Sequence, residues 1–595
     1  MTFAPFLALS LVLGPPSPGT SAASPLPPAE PLLADVTTSS GVRFRHHAHR
    51  SPEKLLPETM GSGLALLDID VDGDLDLYFV QGAPAAPAPP ETADVATPPT
   101  SIAPDELWLN GGTWRFTSAT NGPALPTGLG MGACHGDVDG DGDPDLVVAQ
   151  VGPDLLLLTE KGRPSTGRAL PGSDGFASSC SFLDADGDGD LDLAVVDYVD
   201  WSEDQQRPFC GDVGTGERAY CTPDAHRPVS DRLYRGDGDG GFVEVSTEAG
   251  LDARRGYGLG LLASDLDRDG DLELVVANDG SANHAWENDG SGRFRERGLA
   301  WGLALNEDGR AEAGMGVDSG DVDGNGRPDV VMTHLDLQSN TLWSQDTPGR
   351  FRDHSARAGL ITVSAGLVGF GVELTDFDLD GRLDLAIANG HVIDNITSFR
   401  SDLTHAQADQ LLLGDGQGGF RLVPPLAGGF GAKTDVSRGL ASGDLDGDGD
   451  PDLVVTLNDG PARLYRNDAT GRRPALTLAL TATRTQAGAQ GAWVSLLEAE
   501  DGVVLEREVR AARSYQSQGS SLLHLPRPTR PAVVRVAWPS GHREHFAGLA
   551  GPGPHRLVEG KGSPVSETSG EPGPRALAGL PPGGIKGSEA PPPPP

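Results

Sequence analysis

Short apolar runs recur along most of this chain, separated by clusters of Gly, Asp, Asn and Pro. GSGLALL (61–67) and YGLGLLAS (257–264) are runs of small or apolar residues that lead into an acidic loop. A β-type run follows each loop, as in PDLVVA (144–149), LDLAVV (191–196) and PDVVM (328–332). A third run comes next: LWLN (107–110), RLYR (232–235), NTLW (340–343), QLLL (410–413) and RLYR (463–466). A tight Gly turn then precedes a fourth run led by Phe116, Phe242, Phe294, Phe351 or Phe420. Turn signals at short intervals between such runs predict an all-β chain built from four-stranded units.

The acidic loop occurs seven times, with a mean spacing of about 63 residues. Repetition at such a period is the mark of a repeat architecture. Seven four-stranded units fit a seven-bladed β-propeller, which leaves only short protected sheet edges. After LYRND (464–468) the last unit lacks its Phe-led strand, yet LLADVTTSSGV (32–42) reads like the unit ends FVEVSTEAGL (242–251) and FRDHSARAGL (351–360). The N-terminal strand is therefore expected to complete the last unit. The propeller is expected over 32–468, followed by a small β-rich domain over 472–549. A Pro/Gly-rich tail over 550–595 is too poor in apolar residues to offset its ordering entropy. FLALSLVLG (6–14), followed by GTSAAS (19–24), reads as a signal peptide over 1–23 without a basic start.

Charge changes the picture. The chain carries 85 acidic and 45 basic residues, a net charge of −40, which makes nucleic acid an unsuitable partner. No internal apolar run approaches the ~18 residues of a membrane span. Of the acidic residues, 32 lie in the seven nine-residue loops.

Counted from its first Asp, each loop repeats one ligand spacing. Position 1 is Asp68, Asp137, Asp184, Asp265, Asp321, Asp376 or Asp444. Position 3 is Asp70, Asp139, Asp186, Asp267, Asp323, Asp378 or Asp446, and position 5 is Asp72, Asp141, Asp188, Asp269, Asn325, Asp380 or Asp448. Position 9 is Asp76, Asp145, Asp192, Glu273, Asp329, Asp384 or Asp452. Position 7 varies (Asp74, Asp143, Asp190, Asp271, Arg327, Arg382, Asp450), as expected if only its carbonyl binds. Position 6 is always Gly. Several hard oxygens around one tight turn suit Ca²⁺, which takes 6–8 oxygen ligands; up to seven ions are expected, with the loops at 321 and 376 the weakest. An EF-hand also opens DxDxDG, but it needs a Glu at position 12 and flanking helices. Position 12 here is Phe79, Val148, Val195, Val276, Met332, Ile387 or Val455, all apolar.

These loops resemble the FG-GAP, or VCBS, repeats of integrin-α-type propellers. The resemblance implies Ca²⁺ held by side chains at positions 1, 3, 5 and 9 and the carbonyl at 7. Downstream, YQSQ (515–518) and WPSG (538–541) are similar to the ASPIC/UnbV domain that follows such propellers in the cartilage acidic protein family, and LPETMGSG (56–63) and ANGHV (388–392) resemble that family too. The resemblance implies a secreted calcium-binding protein with no established reaction.

Long insertions at 81–104, 199–230 and 389–408 fall between second and third strands, on the face opposite the acidic loops. That face is expected to engage a protein or glycan partner, with the protein itself a monomer. Cys210 and Cys221 are expected to clip the second insertion, whereas pairing of Cys134 with Cys180 stays open. His46, His47 and His49 alternate along a strand-like segment, so at most two share a face; the segment is read as solvated rather than metal-binding. His334 and His391 are read as structural. No HExxH, Walker A loop or GxSxG occurs, and no catalytic residue is expected. The alternative is a calcium-dependent, lyase-like polysaccharide enzyme, which needs Lys, Arg, Tyr or His clustered over the ring centre.

Overall fold

The computed structural model describes residues 31–48, 50–82, 103–119, 125–202, 208–469, 475–486, 488–498, 502–510, 512–528, 530–551 and 553–565. The expected signal peptide and most of the 81–104 insertion lie outside the described residues. No described helix is long and apolar enough to cross a membrane.

Four-stranded antiparallel sheets repeat along the chain. The first joins Leu64–Leu67, Asp76–Phe79, Glu106–Asn110 and Phe116–Ser118. Later sheets begin at Gly258–Ser264, Val317–Gly320 and Gly369–Thr375, each followed by its three partners in chain order. The second and third acidic loops lie instead in one six-stranded sheet. Asp145–Leu157 runs through Gly152 without a break, and Arg168–Leu183 continues from an outer strand directly into the next inner one. The Phe-led turn that separates other units is missing there, and the two units join through a register shift between Pro153 and Leu155 rather than a chain break.

The final sheet takes Ser437–Gly443, Asp452–Leu457 and Arg463–Asn467, and its outer strand is Leu33–Asp35, with Leu33 opposite Asn467 and Asp35 opposite Tyr465. The expected pairing of the two ends is present. Thr37–Ser40 then makes one helical turn ending at Gly41 (φ 89°), as Ser246–Ala249 does at Gly250 and Ser355–Ala358 at Gly359. The innermost strands touch in succession from Leu64–Leu67 round to Ser437–Gly443, and the last touches the first.

Apolar cores sit between neighbouring sheets. Leu183, Ala194 and Val196 pack on Leu261, Leu274, Val276 and Trp286, for example. Second strands such as Asp192–Asp197 are covered on both faces, which is why they read as continuous rather than alternating apolar runs.

The C-terminal region forms two further sheets. Gly502–Glu508, Trp493–Glu498, Ala532–Ala537, Arg543–Leu549 and Ser563–Pro564 make the larger, and Ala475–Thr481 lies between Leu523–Pro526 and a parallel Pro554–Val558 in the smaller. The expected tail from 550 is thus corrected: 554–564 are ordered. Leu557 fills the domain core, and the buried Glu559 carboxylate accepts from the backbone N–H groups of Thr483 and Arg484. Average composition over the last 45 residues hid this short paired stretch.

Candidate metal centres and the filled centre of the fold

Each acidic loop is a turn tied to its own carboxylates. The N–H of position 6 donates to the position 1 carboxylate, as Gly73 does to Asp68 (3.0 Å), Gly326 to Asp321 (2.9 Å) and Gly449 to Asp444 (2.9 Å). The N–H of position 7 donates to position 5, as from Asp74 to Asp72 and from Arg327 to Asn325. The buried position 9 carboxylate clamps the loop base. It accepts from the position 2 N–H in all seven loops, from Ile69 to Asp76 through to Leu445 to Asp452. In six loops its other oxygen accepts an N–H of the third strand, such as Asn110 to Asp76 or Asn467 to Asp452. Glu273 is the exception, and its Oε1 takes no hydrogen bond.

The fold converges the predicted ligands. Oxygens of positions 1, 3 and 9 lie within 4.8 Å of one another for Asp68, Asp70 and Asp76, and likewise in the loops at 137, 184 and 321. In the fourth loop the close group is Asp265, Asp267 and Asp269. Position 7 side chains turn away toward the outer hairpin: Asp143 accepts the N–H of Lys161, and a methyl added to Gly112 would sit 2.6 Å from Asp74 Oδ2. Burial, reinforced by neighbouring carboxylates, pushes Asp76, Asp145 and Asp192 up to about 7 and Asp329 to about 8, although each accepts two backbone hydrogen bonds. Burial also raises Asp265, Glu273, Asp384 and Asp452 well above the ordinary carboxylate range. Asp137 Oδ1 and Asp265 Oδ1 are buried without a donor. Crowded anions with unsatisfied oxygens are the electrostatic complement of a divalent cation, so the residues present fit one.

Sequence reasoning missed one feature of these loops. Position 4 has positive φ in all seven, including Val71 (58°), Arg268 (64°) and Leu379 (54°). Four loops signal this with Gly; the other three carry no signal.

The second missed feature lies at the centre. Residues 508–520 of the C-terminal domain run between the innermost strands and hydrogen-bond to every one of them. Gln518 exchanges backbone hydrogen bonds with Leu64 and Leu66, and its amide pairs with the backbone of His135. The N–H of Gln516 donates to Ser179 Oγ, and Glu508 accepts from Ser264 Oγ and the N–H of Asp265. Ser514 pairs with Val317 by two backbone bonds, its hydroxyl accepts from the N–H of Val372, and it donates to the carbonyl of Leu440. Two buried ion pairs, Arg513 with Glu373 (2.9 Å) and Arg510 with Asp318, fix the segment. Tyr515 is fully enclosed, edge-on to Phe370, and donates to the carbonyl of Met60. Only glycine fits beside this plug: a Cβ on Gly63 would lie 2.0 Å from the Gln516 carbonyl oxygen. The same domain covers acidic loops directly, with Trp493 Nε1 donating to Asp265 (3.2 Å) and Arg507 to the Gly381 carbonyl (3.0 Å).

A family model described as FG-GAP-like repeat matches residues 137–195, 265–332 and 321–387, and one described as ASPIC and UnbV matches 482–564. The chain carries FG-GAP-like repeats and a C-terminal ASPIC and UnbV domain. Over 167 residues it is 28% identical to cartilage acidic protein 1 of Xenopus tropicalis, covering 27% of this chain and 25% of that protein, so the match spans about a quarter of that relative's length. Among solved structures it is similar to the Agrocybe aegerita lectin described as recognising non-reducing terminal N-acetylglucosamine (15% identity, TM-score 0.34, 67% of this chain and 87% of that chain). It is also similar to YCF48 bound to D1 peptide (10% identity, TM-score 0.39, 72% of this chain and 96% of that chain).

On the face opposite the FG-GAP-like acidic loops the insertions interlock. Cys210 and Cys221 form a disulfide that closes the hairpin Gly211–Asp212 with Glu217–Arg218. This hairpin reaches the sixth-sheet insertion through Asn395, which donates to Glu217 (2.9 Å), and Tyr220 donates to Glu58 (3.0 Å). Lys54 pairs with Asp394. Cys134 and Cys180 are also bridged, tying two inner strands together. His46 corrects the solvated reading of its segment. It is 2% exposed, packs beside Gly61 and Gly82, and its Nδ1 accepts the N–H of Asp459, because alternation turns it inward with Phe44. His49 lies outside the described residues. His334 and His391 are buried and hydrogen-bonded to nearby backbone.

Proposed function

We propose that this protein is an exported calcium-binding recognition module: a closed seven-bladed propeller whose Ca²⁺ ions support the fold while its surface binds protein or glycan. The observation that carries this reading is the convergence of carboxylates at positions 1, 3 and 9 in the loops at 68, 137, 184 and 321, each around a buried position 9 carboxyl that burial raises. Side chains at positions 1, 3, 5 and 9 would hold each ion, and its charge would offset carboxylates that otherwise repel. The unbroken succession of inner-strand contacts and the pairing of Leu33–Asp35 with Arg463–Asn467 support closure of the ring. The two disulfides support an oxidising, extracellular setting.

The centre of the fold supports recognition over catalysis. The ring axis, where an enzyme would gather its groups, is occupied by 508–520, and Lys54, Tyr220 and Arg438 beyond it are engaged with Asp394, Glu58 and backbone carbonyls. The insertion face offers Phe209, Val213 and Leu337, all exposed, to a partner. Calorimetric titration with Ca²⁺, against a chelated control, tests the reading: several sites per chain and a raised melting temperature are expected. A protein that takes up no Ca²⁺ at millimolar concentration sinks it.

A further inference from the structure

The seven acidic loops differ in charge in one sector. Those at 68, 137, 184 and 444 contain no basic residue and each carries −5. The three consecutive loops at 265, 321 and 376 each contain an arginine (Arg268, Arg327, Arg382) and carry −4, −2 and −3. These three loops wall a cleft of about 840 Å³ against the C-terminal domain. The domain contributes Arg507, Arg535 and Arg543 from its own side. On a chain of net charge −40, five guanidinium groups (Arg268, Arg382, Arg507, Arg535 and Arg543) converge on one recess.

Two of the five hold the walls together. Arg268 Nη1 lies 2.8 Å from Glu506 and 2.6 Å from the Gly326 carbonyl, with its guanidinium 4.1 Å over the Trp493 ring. Arg507 donates to the Gly381 carbonyl. The others face the space between. Arg382 pairs with Asp380 of its own loop, yet its side chain stays 47% exposed. Arg535 lies 3.4 Å from Ser495 Oγ and 3.8 Å from Glu506, and Arg543 is exposed. Asp415 and Gln417 supply further donors and acceptors on the ring side.

We propose that this cleft binds an acidic saccharide, a short run of sugar units bearing carboxylate or sulfate groups. Guanidinium forks match the geometry of such oxyanions, while the amide, hydroxyl and carboxylate side chains pair with sugar hydroxyls. The volume is that of a small-ligand site, and such sites favour domain interfaces. Ca²⁺ in the three adjoining loops would leave this sector the least negative of the loop face. The inference adds a ligand class and a second surface to the recognition reading, on the face that carries the acidic loops.

The test uses full-length calcium-loaded protein and calorimetry with a sulfated hexasaccharide from heparin, an oligogalacturonate, neutral maltohexaose and a glutamate hexapeptide. One or both acidic saccharides should bind, more weakly at high salt, and maltohexaose should not. The double variant Arg535→Ala/Arg543→Ala should lose about tenfold or more in affinity, with unchanged calcium stoichiometry and melting temperature. Arg115→Ala, just before the outer strand Phe116–Ser118 of the first sheet, should bind as wild type. Absence of binding by both acidic saccharides, full affinity in the double variant, or equal binding of the glutamate peptide overturns the proposal. Calcium uptake without saccharide binding would sink this inference alone, whereas saccharide binding without calcium uptake would sink the calcium reading and leave the cleft standing.

Discussion

Val71, Arg268 and Leu379 hold positive φ in the fourth position of their loops, where the other four loops have Gly. Left-handed backbone costs an L-residue ~1–2 kcal/mol, and a β-branched one feels it most. Val71 is 57% exposed, so little packing is lost with its side chain. Val71→Gly should therefore hold or raise stability, by up to ~1 kcal/mol, and Gly140→Val in the next loop should lower it by a similar amount; denaturant melts in calcium measure both. Asp105 shows a cost of a different kind, that of burying a carboxyl. Its buried carboxylate accepts from the Tyr78 hydroxyl (2.7 Å) and the N–H of Gln81 (2.7 Å), yet burial still pushes it up to about 7. A carboxyl raised above its unfolded value of ~3.9 favours the fold while protonated. That contribution is complete below about pH 4 and lost as pH rises through 7. Asp105→Asn keeps an acceptor for the Gln81 N–H, can donate from Nδ2 to the Tyr78 hydroxyl oxygen, and does not ionise, so between pH 4 and 7 its stability should fall less steeply than the wild type's, as read from melts across that range.

Among the elements, the plug makes the sharpest demands. Inner-strand glycines read in the sequence as part of a small-residue strand, with nothing to say what they approach. Gly63→Ala would drive a methyl into the Gln516 carbonyl, and an overpacked site of this kind costs ~1–3 kcal/mol. Arg513→Met should cost more, ~3–5 kcal/mol, because it leaves Glu373 buried without its partner. If both variants melt like the wild type, residues 512–520 do not pack between the innermost strands. The Phe-led outer strands and the borrowed strand at 33–35 were legible, since each carries its own apolar signature. The merger of the second and third units was not, because an unbroken strand differs from two strands only by the absence of a turn.

For the whole molecule, the repeats and the C-terminal domain should behave as one cooperative body, joined through the plug and through contacts such as that of Trp493 with Asp265. Chelation should lower the single melting transition rather than split it, since each site at tenfold its dissociation constant adds ~1.4 kcal/mol. Two separated transitions in scanning calorimetry would show the two parts uncoupled.

Local sequence was enough for most of the strands, the count of acidic loops and the carboxylate spacing within each, because turns, β-runs and acidic loops are set by residues close along the chain. Tertiary structure alone decided what fills the centre, which histidine is buried, how the insertions meet and where five arginines gather. Those depend on residues separated by hundreds of positions, such as Gln518 and Leu64 or Arg268 and Glu506, and no local pattern encodes a contact whose two halves are both ordinary until the chain brings them together.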